Sequence, residues 1–355
     1  MRLGLVIYGS LATVSGGYLY DRKLVEHLRR AGDTVEVIAL PWRNYALHLT
    51  DNLAPPLVGR LRSKHYDALL QDELNHPSLV WLNQFVRGRY PIYSIVHHLR
   101  ASEARPAWQN LFYRAVEQQY LHSVDGFIFN SETTRAAVEA LVGQDQRAVV
   151  ARPAGDHLGA MLSESEIALR AHVPGPLRVL FVGNLISRKN LPALLNALAQ
   201  LPREQWQLTV VGSLTTDAAH ARAVQKQIEA LRLAGNVILR GALPEAPLID
   251  EFKRAHVLAV ASQYEGFGIV YLEGMACGLP ALAGARGAAH EIISEGVNGF
   301  LIAPDDVEGL AARLQKLTED RSALEAMGRA ALARFRAHPT WAQSAERVRA
   351  FLIQQ

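Results

Sequence analysis

The chain has a single cysteine among its 355 residues, Cys277. That excludes an internal disulfide framework and any cysteine-based zinc site. Its neighbours Met275, Ala276 and Gly278 favour a small packed residue over a reactive thiol. Long apolar runs are missing as well: none approaches the roughly 20 residues that span a bilayer. Leu3 to Tyr8, after Arg2, is too short for a secretory segment and reads as a first strand. The expectation is a soluble cytoplasmic protein, with peripheral contact at the inner face of a membrane left open. An excess of one charge is lacking too. A formal net charge of +3 gives no indication of a nucleic-acid partner. The chain has no P-loop, no G-x-G-x-x-G fingerprint and no G-x-S-x-G elbow. It also has no two Asp separated by one residue, no internal repeat and no low-complexity tract.

What is present is an ordinary globular composition, 49% hydrophobic and 20% charged. At roughly 150 residues per domain, the length suggests two domains. Leu3 to Tyr8, a helix with Leu24, Val25, Leu28 and Ala31 on one face, and a strand from Thr34 to Leu40 form a βαβ unit, so a parallel sheet is expected. Pro41 to Lys64 reads as irregular. Its Arg60, Arg62 and Lys64 make a solvated face or else a patch for an anionic acceptor or anionic lipid heads. Strands follow at 66–71 and 91–96, with a helix at 77–87 between them. Residues 100–105 read as a polar loop. Trp108, Leu111, Phe112, Ala115 and Val116 have helical spacing and read as a core face rather than a membrane face. Strands at 126–130 and 147–151, with Ser131 as a helix N-cap, close the first sheet.

A linker is expected at 160–176, where Pro174-Gly175-Pro176 breaks the chain. Strands at 177–182, 207–211, 237–240, 256–261 and 280–283 predict a second parallel sheet. Asp305 is expected to cap a helix, with later helices broken near Pro339 and Trp341.

Four stretches stand out. Ser15-Gly16-Gly17 precedes the first helix, as a helix-starting turn or as a loop whose bare backbone lets a ligand approach. His97-His98 follows a strand directly, where open α/β sheets line their ligand crevice; a pair of hydrogen-bonded structural histidines is the other reading. Gly183 to Asn190 sets Arg188 and Lys189 at a strand-to-helix turn, where a planar fork and a point charge can clamp a diphosphate. Glu265 to Glu273 follows a buried strand with a Gly-containing turn and a helix start. Unpartnered N–H groups and the positive end of the helix dipole collect anions there.

The last stretch, with Gly274 to Pro280, Glu291-Ile292-Ile293 and Asn298-Gly299-Phe300, resembles the E-x7-E region of retaining glycosyltransferases of family 4. The resemblance is close in the C-terminal half and loose in the N-terminal half. It implies the GT-B fold: an α/β protein of two Rossmann-like, doubly wound parallel-sheet domains facing a cleft. The domains would be residues 1–165 on the acceptor side and 175–338 on the nucleotide-sugar side, with a C-terminal helix at 340–355 crossing back to the first. It implies a retaining transferase that moves a sugar from a UDP- or GDP-sugar to a glycan, a lipid-linked acceptor or a small molecule.

By resemblance, Glu265 holds donor-sugar hydroxyls and Glu273 the ribose hydroxyls. Arg188 and Lys189 take the diphosphate, with Gly183 beside them. The backbone of Gly266, Phe267, Gly268 and Ile269 meets sugar or phosphate oxygens, and Leu243 lies in the loop beside the base. Gly16 and Gly17 match the family's Gly-Gly loop. His97 matches its donor-contacting His, while His98 stands where the family often has Asp. Gly284 to Ala289, with Glu291, replaces the commoner Gly-Gly-x-Pro-Glu, and Gly287 serves for one of its glycines. With no Asp-x-Asp, no metal and no cofactor are expected; positive charge would come from Arg188, Lys189 and the helix N-terminus. A nucleotide-sugar epimerase or phosphorylase, or a non-catalytic nucleotide-sugar-binding protein, are the alternatives.

Overall fold

The computed structural model describes residues 1–103, 105–159 and 161–354. Three positions inside the expectations above lie outside the described residues: Ala104 in the 100–105 loop, Ala160 at the start of the expected linker, and Gln355 at the end of the last helix.

The chain divides into two units, Met1–Pro153 with the chain from Thr340 onward, and Ala154–Pro339. The first unit runs β1 (Arg2–Tyr8), α1 (Gly16–Arg30), β2 (Thr34–Leu40), α2 (Tyr45–Thr50), α3 (Pro55–Ser63), β3 (Ala68–Asp72), α4 (His76–Leu79), α5 (Leu82–Val86), β4 (Ile92–Val96), α6 (Ala107–Leu121), β5 (Gly126–Phe129), α7 (Glu132–Val142) and β6 (Ala148–Val150). The second runs α8 (Glu164–His172), β7 (Leu177–Val182), α9 (Leu191–Leu198), β8 (Trp206–Val211), α10 (Ala218–Ala230), β9 (Val237–Gly241), α11 (Glu245–Arg254), β10 (Val257–Val260), α12 (Ile269–Ala276), β11 (Ala281–Gly284), β12 (Gly299–Ile302), α13 (Val307–Glu319) and α14 (Arg321–Arg336). The final helix, α15 (Trp341–Ile353), belongs to the first unit and packs on α1.

Both sheets are parallel and doubly wound. The first has the order β2-β1-β3-β4-β5-β6 and the second β12-β11-β10-β7-β8-β9. Near-continuous apolar strands such as Leu3 to Tyr8 and Leu177 to Val182 suit sheets covered by helices on both faces. In each sheet the strand order reverses once, between β1 and β3 and between β7 and β10. Ligands of open α/β sheets bind outside the carboxyl ends of strands at such reversals.

Several local expectations are corrected. Pro41 to Lys64 is not irregular: Asn44 caps α2 by accepting from the Leu47 N–H at 2.9 Å, and Pro55 opens α3, where its missing N–H costs nothing. Residues 77–87 form two short helices rather than one. Within 160–176, a Ser163–Glu166 capping box starts α8, which packs on α14 in the second unit. Asp306 rather than Asp305 caps α13. The apolar stripe of α6 is not a core face. Trp108 is 71% exposed, Leu111 69% and Phe112 48%, and the helix turns Glu117, Tyr120 and Leu121 inward instead. Helical spacing marked one side of α6 as apolar but carried no information on whether anything covers it.

Candidate functional site

In the second unit the β7/β10 reversal gathers the residues that carry charge. Asn190 adopts a left-handed conformation after the turn holding Arg188 and Lys189. Its side-chain amide donates to the carbonyls of Ala261 (3.2 Å) and Pro304 (2.9 Å), which ties the turn to the end of β10. The Arg188 carbonyl accepts from the Gln263 N–H at 2.8 Å. This register brings Lys189 Nζ to 2.7 Å from Glu265 Oε2 and Arg188 Nη1 to 3.7 Å from Glu265 Oε1. Ser262 Oγ also donates to Glu265 Oε2, at 3.1 Å, and Arg188 Nη1 donates to the Tyr264 carbonyl at 2.8 Å. Burial by itself would raise the Glu265 carboxyl. The charges of Lys189 and Arg188, with hydrogen bonds from Lys189 and Ser262, outweigh it and bring the value down to about 2. Gly183 packs on the Lys189 stem, where a Cβ would lie 3.4 Å from Cε.

Glu265 precedes α12 rather than riding on it. Gly268 caps the helix at φ +95°, and a Cβ there would collide with the Tyr271 ring. Gly266 is half-buried; Phe267 and Ile269 are buried. Among the described residues, no protein acceptor takes the N–H groups of Phe267, Gly268 or Ile269. Two cations thus meet one carboxylate a few residues before a helix start, leaving the cluster net positive. Gly287 pairs with Glu265, whose backbone passes so close that a Cβ would strike its carbonyl.

The remaining residues of this unit stand apart. Glu273, in α12, pairs with His157 Nε2 at 3.2 Å. Leu243 is half-buried in the loop between β9 and α11. Cys277 is buried, and burial pushes its thiol up to about 11.

In the first unit the β1/β3 reversal holds Gly16, Gly17 and His97. Gly16 is the first residue of α1 rather than part of the loop before it. Gly17 lies against the His97 ring, where a Cβ would be 3.1 Å from Cδ2. His97 Nε2 is 3.4 Å from Asp21 Oδ1, and Asp72 completes a buried trio whose ligand-type atoms lie within 4.8 Å of one another. Burial alone would lower His97; Asp21, then Asp72 and Glu73, raise it to about 9. Burial and the Asp21 charge push Asp72 well above the usual carboxylate range.

His98 points elsewhere, with Nε2 3.0 Å from Glu103 Oε1, and Glu103 also meets Arg105 at 2.6 Å. The loop start is pinned by Glu117, which accepts the N–H groups of Arg100 and Ala101. Glu73, His76 and Glu117 form a second buried trio, in which burial and the Glu73 charge raise Glu117 to about 9.

Sequence reasoning missed Ser262, Asp21, Asp72 and His157. Asp72 ends β3, a place the crevice rule marks, but the expected strand stopped at 71. Asp21 lies one helical turn after Gly17, and no local signal distinguishes it from a surface helix residue.

Comparison with known proteins agrees with this architecture. Residues 165–334 match the family Glycosyl transferases group 1. The chain is similar to the D-inositol 3-phosphate glycosyltransferases of Segniliparus rotundus, at 29% identity over 61% of this chain and 49% of that one, and of Kineococcus radiotolerans, at 32% over 60% and 53%. It therefore spans about half the length of these relatives. Among solved structures it is similar to sucrose-phosphate synthase from Thermosynechococcus elongatus, with a TM-score of 0.85 and 23% identity over 99% of this chain and 98% of that one. Anabaena HepE in complex with UDP gives a TM-score of 0.81 and 22% identity over the whole of both chains. The chain has the GT-B fold, and its segment 165–334 is similar to the group 1 glycosyl transferases.

Proposed function

We propose that this chain is a retaining, metal-independent glycosyltransferase of family 4 type that moves a sugar from a UDP- or GDP-sugar to an acceptor hydroxyl. One observation carries the reading. Arg188 and Lys189 flank Glu265, and the open N–H groups that start α12 follow it within four residues, at a single sheet reversal. A leaving diphosphate gains charge as the glycosidic bond breaks, and preorganised donors aimed at that charge stabilise it. Arg188 and Lys189 take the phosphates. Glu265, already ionised, accepts hydrogen bonds from donor-sugar hydroxyls, and Ser262 and Lys189 hold its carboxylate in place. Glu273 takes the ribose hydroxyls, and the loop of Leu243 lies against the base.

Retention follows the family scheme, in which the acceptor attacks from the face the phosphate leaves and the departing phosphate takes its proton. No metal is required in this reading, because two side-chain cations and a helix N-terminus occupy the role of a divalent ion. The names of the relatives support the substrate class. One from Corynebacterium glutamicum is a GDP-mannose-dependent mannosyltransferase acting on a phosphatidylinositol mannoside, and HepE has been crystallised with UDP-glucose. The acceptor here is a hydroxyl of a polyol, glycan or glycolipid.

The test is a thermal-shift series with UDP, GDP and their sugars, in EDTA and in excess magnesium. Ligand at about a hundred times its Kd stabilises by about 2.7 kcal/mol. Equal stabilisation in EDTA and magnesium, together with release of free sugar or its transfer from the donor, is expected. Stabilisation only in magnesium defeats the metal-independent scheme, and no stabilisation by any nucleotide defeats the reading as a whole.

A further inference from the structure

The exposed apolar side chains of this molecule are unevenly spread. Of its five tryptophans, Trp206 and Trp341 are buried, while Trp42, Trp81 and Trp108 are exposed and all fall within residues 42–114. In that segment Leu53, Trp81 and Phe85 are exposed, and α6 exposes Trp108, Leu111 and Phe112. Asn52 bonds the backbone N–H groups of Trp81 and Leu82, and α6 packs directly on α4. Isolated exposed apolar residues are ordinary; a concentration of large ones, with every exposed tryptophan among them, marks a contact surface.

Charge says what the surface meets. Residues 42–114 hold nine Lys and Arg against five Asp and Glu; Arg60 and Lys64 meet Glu36 and Arg43 meets Asp51, so the cations beside α6 are Arg100, Arg105 and its own Arg114. Three of those five acids, Asp51, Asp72 and Glu73, are buried. Of the other two, Glu103 is paired with Arg105, and Asp67 is bonded to the Arg2 N–H at the start of β1. The one acid of α6, Glu117, is buried, leaving Arg114 as the charged residue on its exposed side. Guanidinium groups of Arg100 and Arg105 lie over the Tyr113 ring at 4.8 and 5.3 Å, next to Phe112.

We infer that this face of the first unit docks on an anionic lipid bilayer, with Trp108, Leu111 and Phe112 entering the headgroup–acyl boundary and the surrounding arginines meeting lipid phosphates. Tryptophan and arginine side by side, with aliphatic and phenyl groups between them, match that boundary, where an amphipathic ring and a cation are both favoured. A polyanion without an apolar phase would satisfy the cations and leave the phenyl and leucyl groups in water. The inference does not rest on the sugar-transfer reading, since docking needs no donor.

The test uses the full chain with vesicles of phosphatidylcholine alone and of phosphatidylcholine mixed with phosphatidylglycerol, at low and at physiological salt. Co-sedimentation with the mixed vesicles only, weakening with salt and accompanied by a shift of tryptophan emission to shorter wavelength, is expected. The double substitution Trp108→Ser with Phe112→Ser should lower partitioning at least tenfold without changing the melting temperature. Leu169→Ser, at an exposed position of α8 in the second unit, should leave partitioning unchanged. No binding to the mixed vesicles overturns the inference. So does undiminished binding of the double variant, or equal capture by polyuridylate that the double variant does not weaken, because charge alone would then drive association.

Discussion

Lys189 and Glu265 form the closest ion pair of the second-unit cluster, at 2.7 Å with both side chains nearly buried. A buried carboxylate is tolerated because its partner stays beside it, and removing one partner leaves the other uncompensated. Lys189→Met keeps the bulk and removes the charge, with Arg188 still 3.7 Å away. The expected loss is about 2–3 kcal/mol at neutral pH, below the usual figure for a broken buried pair because one cation remains. The acid side gives a second reading. The folded Glu265 carboxyl sits at about 2, below its ordinary 4.5, so its contribution is fully present above pH 4.5 and is lost as pH falls towards 2. Over that window the wild-type chain should lose on the order of 3 kcal/mol, at about 1.4 kcal/mol per pH unit. The Lys189→Met variant should lose clearly less. Urea unfolding of both proteins at about pH 6 and about pH 3 measures the difference, and parallel losses would show that Glu265 does not depend on Lys189.

At the scale of an element, the start of α12 depends on one backbone conformation. Gly268 stands at φ +95° with the Tyr271 ring against its Cα. An alanine there must take a strained backbone and also push the ring, at about 1–3 kcal/mol. Gly268→Ala should therefore lower the melting temperature by several degrees and abolish the shift produced by UDP, since the N–H groups of 267–269 would no longer be held in their present directions. Full retention of the nucleotide-induced shift would mean that the helix start is not an anion-binding element. The same scale explains what could be foreseen. Glycines at 266 and 268 after an apolar strand announce a strand–turn–helix, and the helix followed at Ile269. The apolar spacing of α6 announced an amphipathic helix with equal force, yet its stripe faces outward. Periodicity reports that a helix has two sides, and only the neighbours α4 and α7 determine which side is covered.

The whole molecule has a feature no single element contains: its last helix returns to the first unit. α15 buries Trp341, Val348, Phe351 and Leu352, and Arg349 Nε reaches Asp33 at 2.8 Å, where the chain's first amino group is bound as well. Each such apolar side chain contributes about 1.5–3 kcal/mol when buried, set against the entropy cost of ordering the helix, and losing all four also leaves the surface they cover on the first unit exposed. Ending the chain after Pro339 should leave residues 1–153 sensitive to protease and without a cooperative melting transition, while 154–339 keeps its own. Limited proteolysis with calorimetry tests this, and two intact transitions in the shortened chain would contradict it.

Composition and pattern were enough to define two parallel α/β sheets, to place most strands within a residue or two, and to select Arg188, Lys189, Glu265 and the glycines around them. These are local properties, set by strand hydrophobicity, the backbone freedom of glycine and the spacing of charges at turns. Chain folding over long separations decided the rest. Asp21, Asp72 and His97 come from α1, the end of β3 and the residue after β4, and meet because the sheet order reverses between β1 and β3. Lys189 reaches Glu265 because Asn190 and the Arg188 carbonyl tie a turn 76 residues upstream of Glu265 onto the end of β10. Which apolar faces stay uncovered was settled in the same way, since burial depends on partners distant in sequence, and those are brought together only when the sheets are assembled.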